Sequence, residues 1–145
     1  MDRLTEQIIK HEGLRLRMYK DNAVPPRWTI GYGHNIQDNG ISRKAAEFIL
    51  EEDLADAKRD SQRFTWFEAQ DEVRQAVVVN MVFNMGLPTF RGFENTIRFL
   101  EMGMYVDAGE EILKGSGPGG KSKWYHDVGD RAVELSEMLK TGEWP

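Results

Sequence analysis

The chain has 145 residues, 40% hydrophobic and 30% charged, a balance that suits a soluble folded domain and leaves no case for disorder. Cysteine is absent, which excludes disulfides and thiolate metal sites, and a formal charge of −5 argues against a general nucleic-acid binder. The first 63 residues balance at 11 basic and 11 acidic, so the whole deficit falls in the remainder, a hint of two lobes.

Leu4, Ile8 and Ile9 recur at helical spacing, and Gly13 stands where that helix would stop. Leu14 to Lys20 alternates apolar and polar residues as a half-buried strand does. Asn22 to Arg27, with Pro25-Pro26, reads as a turn. Trp28 to His34 alternates again, and its glycines mark close backbone approach, so a hairpin is expected. Asn39-Gly40 signals a turn, after which Ser42 can cap a helix striped by Ala46, Leu50, Leu54 and Ala57. That helix should be long and partly exposed, as one joining two lobes would be. Glu68 to Met85 is the most apolar helical segment; its length, polar start and Gly86 outweigh the strand signal of Val77-Val78-Val79. Shorter helices are expected over 93–102, 106–114 and 130–139, with a flexible Gly-rich loop over 115–120.

Glycoside hydrolysis commonly uses two carboxyl groups, an acid for the leaving oxygen and a base or nucleophile. The acid must keep its proton near neutral pH. Glu12 falls at the C-terminal end of the first helix, where the dipole favours the neutral form, and Leu14 and Leu16 promise apolar surroundings. Asp21 ends the first strand beside a polar turn, where a carboxylate stays ionised. Thr29 offers a hydroxyl across the hairpin. Taken alone, Glu12 also reads as a surface residue and Asp21 as a turn former.

The segments His11-Glu12-Gly13-Leu14-Arg15-Leu16, Tyr19-Lys20-Asp21 and Trp28-Thr29-Ile30-Gly31-Tyr32-Gly33-His34 resemble the N-terminal motifs of the T-even phage lysozymes, glycoside hydrolase family 24. The resemblance continues in order through Asn80 to Gly86, Gly92-Phe93, Lys121 to Tyr125, Asp130-Arg131-Ala132 and Thr141 to Trp144. It implies Glu12 as general acid, Asp21 as the carboxylate that stabilises the sugar cation or activates water, and Thr29 as the holder of that water. The implied reaction is hydrolysis of the β-1,4 bond between N-acetylmuramic acid and N-acetylglucosamine in peptidoglycan, with inversion. Arg131 matches an arginine whose charge faces the catalytic glutamate, and His34 a structural histidine. Tyr32, Asn35, Phe83 and Thr96 are the candidate glycan contacts, although Asn35 replaces a typical apolar residue. Glu111 stands where the family places a sugar-binding asparagine. Two further departures are a slightly longer turn between Asp21 and Thr29 and a much shorter segment from His34 to Ser42.

The fold class that follows is α+β and mostly helical, two-lobed, with a small N-terminal sheet. Residues 1–60 form the N-terminal lobe with the hairpin and the inter-lobe helix, and 61–145 the helical C-terminal lobe; the first helix is expected to pack on the latter. No cofactor and no metal are expected, since the three histidines are scattered and His11-Glu12 lacks the second histidine of a zinc motif. The expected partner is bacterial peptidoglycan, with no nucleic acid and no membrane insertion, and the chain is expected to be a monomer. No apolar run nears the roughly 20 residues of a membrane span, and Met1 to Gln7 lacks the apolar core of a secretory signal. A phage lysozyme of this kind would wait in the host cytoplasm for a separate holin-type protein to open its way to the wall.

Three rivals remain. A lytic transglycosylase cuts the same bond without water, and an inactive wall-binding or tail-structural module would keep the fold alone. Gly115 to Ser122 also fits the phosphate-binding pattern G-x-x-x-x-G-K-[ST], but an amphipathic helix precedes it where a strand is required.

Overall fold

Asp2 opens the first helix, α1 (Arg3–Glu12), by accepting the Thr5 amide at 2.9 Å. Gly13 ends it at φ 68°, a conformation that costs glycine little. The computed structural model describes all of residues 1–145 and divides into two units, Met1–Ile49 and Leu50–Pro145. The boundary lies inside a long helix that the sequence grouping had assigned whole to the first lobe.

In the first unit, β1 (Arg15–Lys20) pairs antiparallel with β2 (Trp28–Gly31), setting Tyr19 opposite Thr29 and Lys20 opposite Trp28. The expected second strand does not run on to His34. Gly31 and Gly33, at φ 68° and 75°, turn the chain back at Tyr32, and β3 (His34–Asn35) becomes a third strand with Asn35 opposite Thr29. The alternation continued across that reversal by coincidence of spacing. Asn35 then caps a four-residue helix, α2 (Ile36–Asn39), too short to reveal a helical period in sequence. Ser42 caps α3 (Arg43–Ser61) as expected, accepting the Ala45 amide at 3.1 Å. Of the α3 stripe only Ala57 is buried.

The second unit is helical. A 3-10 turn at Phe67–Ala69 leads to α4 (Glu72–Met85), which buries Val77 and Val78 and settles those valines as helical. Then follow α5 (Leu87–Arg91), α6 (Glu94–Glu101), α7 (Tyr105–Glu111), α8 (Lys123–Val128) and α9 (Asp130–Thr141). The short α5 and α8 were not foreseen; Pro88 sits in the first turn of α5, where its missing N–H costs nothing. Val77, Met81, Phe90, Leu100, Ile112 and Leu139 form the centre of the core.

Two contacts fix the last helix. The Ser136 hydroxyl donates to the Gly109 carbonyl at 2.6 Å, and a Cβ on Gly109 would fall 2.6 Å from the Ser136 carbonyl, so α7 and α9 meet backbone to backbone. Arg74, on α4, donates to the carbonyls of Leu139 (2.9 Å) and Lys140 (3.4 Å), pairs with Asp71 at 2.6 Å, and lies 3.6 Å over the Tyr105 ring. The residue beyond α9 must be small beside that guanidinium: a Cβ on Gly142 would be 2.6 Å from Nη1.

The glycine loop 115–120 was expected to be flexible. Instead Gly115 and Gly117 donate their amides to the carbonyls of Gly120 and Lys121, and Lys114 bridges Lys121. Those amides are spent within the loop, and α7 precedes it, so it is no phosphate cradle.

Phe90 is fully buried, packing edge-on against Phe64 and stacked on Phe93. Phe90→Ala should lower unfolding stability in urea by about 3–5 kcal/mol, whereas Val106→Ala, at an exposed position, should change it by under about 0.5 kcal/mol.

Candidate active site

The turn after β1 is built around one carboxylate. Asp21 Oδ1 accepts the backbone N–H groups of Arg27 at 2.8 Å and Ala23 at 3.0 Å, and the Asp21 amide donates to the Arg27 carbonyl at 3.0 Å. These bonds close the proline-containing turn that leads into β2 and Thr29. The Thr29 hydroxyl, on a buried residue of β2, lies 3.4 Å from Asp21 Oδ2 and 3.2 Å from the Arg27 carbonyl. It has one proton to give, shared between those acceptors, and its lone pairs remain to accept. The Arg27 amide above all, then the Ala23 amide, the Thr29 hydroxyl and the Arg27 charge, hold the Asp21 carboxyl below the usual aspartate value against a desolvation that outweighs each of the last three taken singly. The same arginine pairs with Asp38 of α2 at 2.9 Å, tying the turn to the helix after β3.

Glu12 is the last residue of α1 and is exposed. Leu14 and Leu16 are exposed too, so they give Glu12 no apolar wrapping. Alternation in sequence had shown which residues share a strand face, but not whether anything covers that face. What lies against the carboxylate is Gly33: a Cβ there would sit 2.5 Å from Glu12 Oε2 and 2.9 Å from Cδ. The β2–β3 turn therefore comes so close to the Glu12 side chain that a side chain at residue 33 would push that carboxylate aside, at a φ of 75° that itself favours glycine. Sequence reading had marked these glycines for close approach without assigning Gly33 to the site.

The other candidates of the first unit surround that turn. Tyr32 is exposed between the two left-handed glycines. His34 Nε2 lies 2.6 Å from the Gly40 carbonyl. Asn35 spends its carbonyl on the Asp38 amide and its NH₂ on the Asp38 carboxylate, as the cap of α2. In the second unit, Phe83 is partly exposed on α4, and Arg131 donates to Asn80 Oδ1 at 2.8 Å and forms no ion pair within its unit. Thr96 is buried on α6 with its hydroxyl unpartnered, in the wall of a pocket of about 430 Å³. No cluster of three or more histidine or acidic side chains is placed to hold a metal ion.

A small antiparallel sheet carrying a paired carboxylate and hydroxyl, with a helical unit after it, is an α+β lysozyme-like fold. A family model described as phage lysozyme matches residues 9–125, and the chain belongs to that family. It is 34% identical over 118 residues to an endolysin of Acyrthosiphon pisum secondary endosymbiont phage 1, covering 75% of this chain and 74% of that one. It is 24% identical over 161 residues to a probable T4-type lysozyme 1 of Dictyostelium discoideum, covering 90% and 89% respectively. It is also 27% identical over 169 residues to the pre-baseplate central spike protein Gp5 of Enterobacteria phage T4, covering 96% of this chain and 28% of that protein.

The Gly33 contact yields a mutational test. Gly33→Ala meets both a positive φ and the carboxylate of Glu12, the candidate acid, and if Glu12 has that role its displacement by about 1 Å costs about 100-fold in rate. Lysis of permeabilised bacteria should fall by about that factor while the far-ultraviolet circular dichroism stays native.

The Asp21 bonds yield a second. Its folded pKa is lower than its unfolded one, so its contribution to stability is complete above the unfolded value and is lost as pH falls through the folded one. An NMR titration of the Asp21 carboxyl should give a midpoint below the reference 3.8. Thr29→Val should move it upward more than Arg27→Ala, which keeps the backbone donor.

Proposed function

We propose that the chain is an endo-acting muramidase that hydrolyses the β-1,4 bond between N-acetylmuramic acid and N-acetylglucosamine with inversion, in the service of phage-driven lysis. The observation that carries this reading is the bond between the buried Thr29 hydroxyl and an ionised Asp21, inside a chain of the phage lysozyme family. A water between them would have a lone-pair acceptor on Thr29 and a negative acceptor on Asp21, and both orient its oxygen for attack.

In this scheme Glu12 gives its proton to the glycosidic oxygen as the bond to the anomeric carbon breaks. Positive charge grows on the sugar, and the Asp21 carboxylate stabilises it. The water attacks the opposite face, its oxygen bonds to the anomeric carbon, and its proton passes to Asp21. One glycosidic bond and one water O–H are replaced by two hydroxyl groups, and exchange with solvent restores both carboxyl groups. Gly33 sets where Glu12 can stand. Tyr32, Phe83 and Thr96 are proposed to contact the glycan, Arg131 to balance the charge of Glu12, and Asn35 and His34 to hold α2 and the turn below it. No cofactor enters the scheme. No helix is long and apolar enough to cross a membrane, and access to the wall through a holin-type protein fits this reading.

Glu12→Gln removes the proton with little change in volume and should reduce lysis to below a few per cent. Direct NMR observation of wild-type products should find the α anomer first. An initial β anomer would exclude the water-holding role of Thr29, and 1,6-anhydro ends would mean a transglycosylase. A folded chain with no activity on any wall would mean a binding or tail-structural module, the setting that the likeness to a spike protein favours.

A further inference from the structure

β3 has only two residues, so the ladder on that side of β2 ends with Asn35 opposite Thr29. The chain then leaves as α2, and no strand residue pairs with Trp28 there. Gln37, the second residue of α2, supplies the missing acceptor: its side-chain carbonyl takes the Trp28 N–H at 3.1 Å. Asp38 ties α2 down for this purpose, since its Oδ2 accepts the Asn35 NH₂ at 2.9 Å and pairs with the Arg27 guanidinium at 2.9 Å.

The Trp28 N–H is one end of a planar unit whose other end is the Arg27 carbonyl. That carbonyl accepts the Asp21 amide at 3.0 Å and lies 3.2 Å from the Thr29 hydroxyl. Holding the N–H fixes the direction of the carbonyl, and the polarised amide becomes a stronger acceptor. The Thr29 proton has two claimants, this carbonyl and Asp21 Oδ2 at 3.4 Å. A water between Thr29 and Asp21 must donate a proton to each, so Thr29 serves it only while its own proton lies on the carbonyl. We propose that Gln37 is a positioning residue that, through the Arg27–Trp28 peptide, keeps the Thr29 proton on the Arg27 carbonyl and leaves a Thr29 lone pair for the attacking water. The proposal rests on the muramidase reading for that water.

Gln37→Leu removes the acceptor at nearly constant volume and charge. On soluble glycan strands its kcat should fall about fivefold, as for one net hydrogen bond, with KM unchanged because the water acts in the transition state and not in glycan binding. Gln37→Glu keeps an oxygen for the Trp28 amide and should recover most of the rate. A fall that Gln37→Glu does not relieve, or one confined to KM, would overturn the proposal. A second readout needs no catalysis. Gln37→Leu frees the Thr29 proton for Asp21, so the NMR titration midpoint of the Asp21 carboxyl should move to lower pH than in wild type. The Arg27 guanidinium keeps its Asp38 partner, so the charge beside Asp21 is unaltered. A turn that was merely loosened would weaken the amide bonds to Asp21 and move the midpoint up instead. In the Thr29→Val background, which has no hydroxyl proton to hand over, Gln37→Leu should not lower the midpoint. A midpoint that stays or rises in Gln37→Leu, or falls in Thr29→Val as well, rejects the positioning role whether or not any wall is cut. The expected pattern in a protein that cuts no wall would keep the role of Gln37 and remove only the muramidase reading.

Discussion

In the first unit a carboxylate and a missing side chain occupy the same volume. Glu12 Oε2 stands where a Cβ of residue 33 would be, and the geometry of the proposed acid depends on that vacancy. Gly33 there holds a positive φ, and together with Gly31 it turns the chain at Tyr32 into the third strand. The third strand sets Asn35 opposite Thr29, so the residue that caps α2 and the residue that bonds Asp21 are neighbours across one ladder. The β2–β3 turn and the Glu12 carboxylate therefore meet at Gly33, one strand away from the Thr29–Asp21 pair.

The Asp21 turn solves a different problem, that of keeping a partly exposed carboxylate in one orientation. Side-chain charges alone would do this poorly in water, where an exposed pair is worth little. Backbone amides at residues 23 and 27 do it instead, because they are fixed by the turn itself. This explains how a turn with two prolines still serves the site: what it must deliver is an amide at Arg27, and the residues between are free to vary.

Much of this was legible in the chain. α4 announced itself through length, a polar start and Gly86, and the capped α3 through Ser42. Glu12, Asp21 and Thr29 stood out through motif and position, and Asp21 and Thr29 do meet. What escaped has physical reasons. α2, α5 and α8 span too few residues to display a period, and the strand pattern ran through a turn because glycine interrupts direction without interrupting alternation. The glycine loop looked flexible because composition reports backbone freedom, whereas the amide bonds that restrain it depend on residues meeting across the loop. The hydroxyl left without a partner at Thr96 could not be foreseen, since a missing bond leaves no mark on sequence.

The clasp at Arg74 has a consequence for how this protein comes apart. The last turn of α9 is held by a guanidinium group that bonds two terminal carbonyls and sits over the Tyr105 ring. Guanidinium chloride presents the same cation in solution at molar concentration, as a direct competitor for those carbonyls and that ring. Urea offers the carbonyls a neutral donor and brings no charge to the ring. The two denaturants therefore do not act on the same molecule in the same order: the salt loosens the carboxyl terminus ahead of the core, and urea has no such chemical preference for that end.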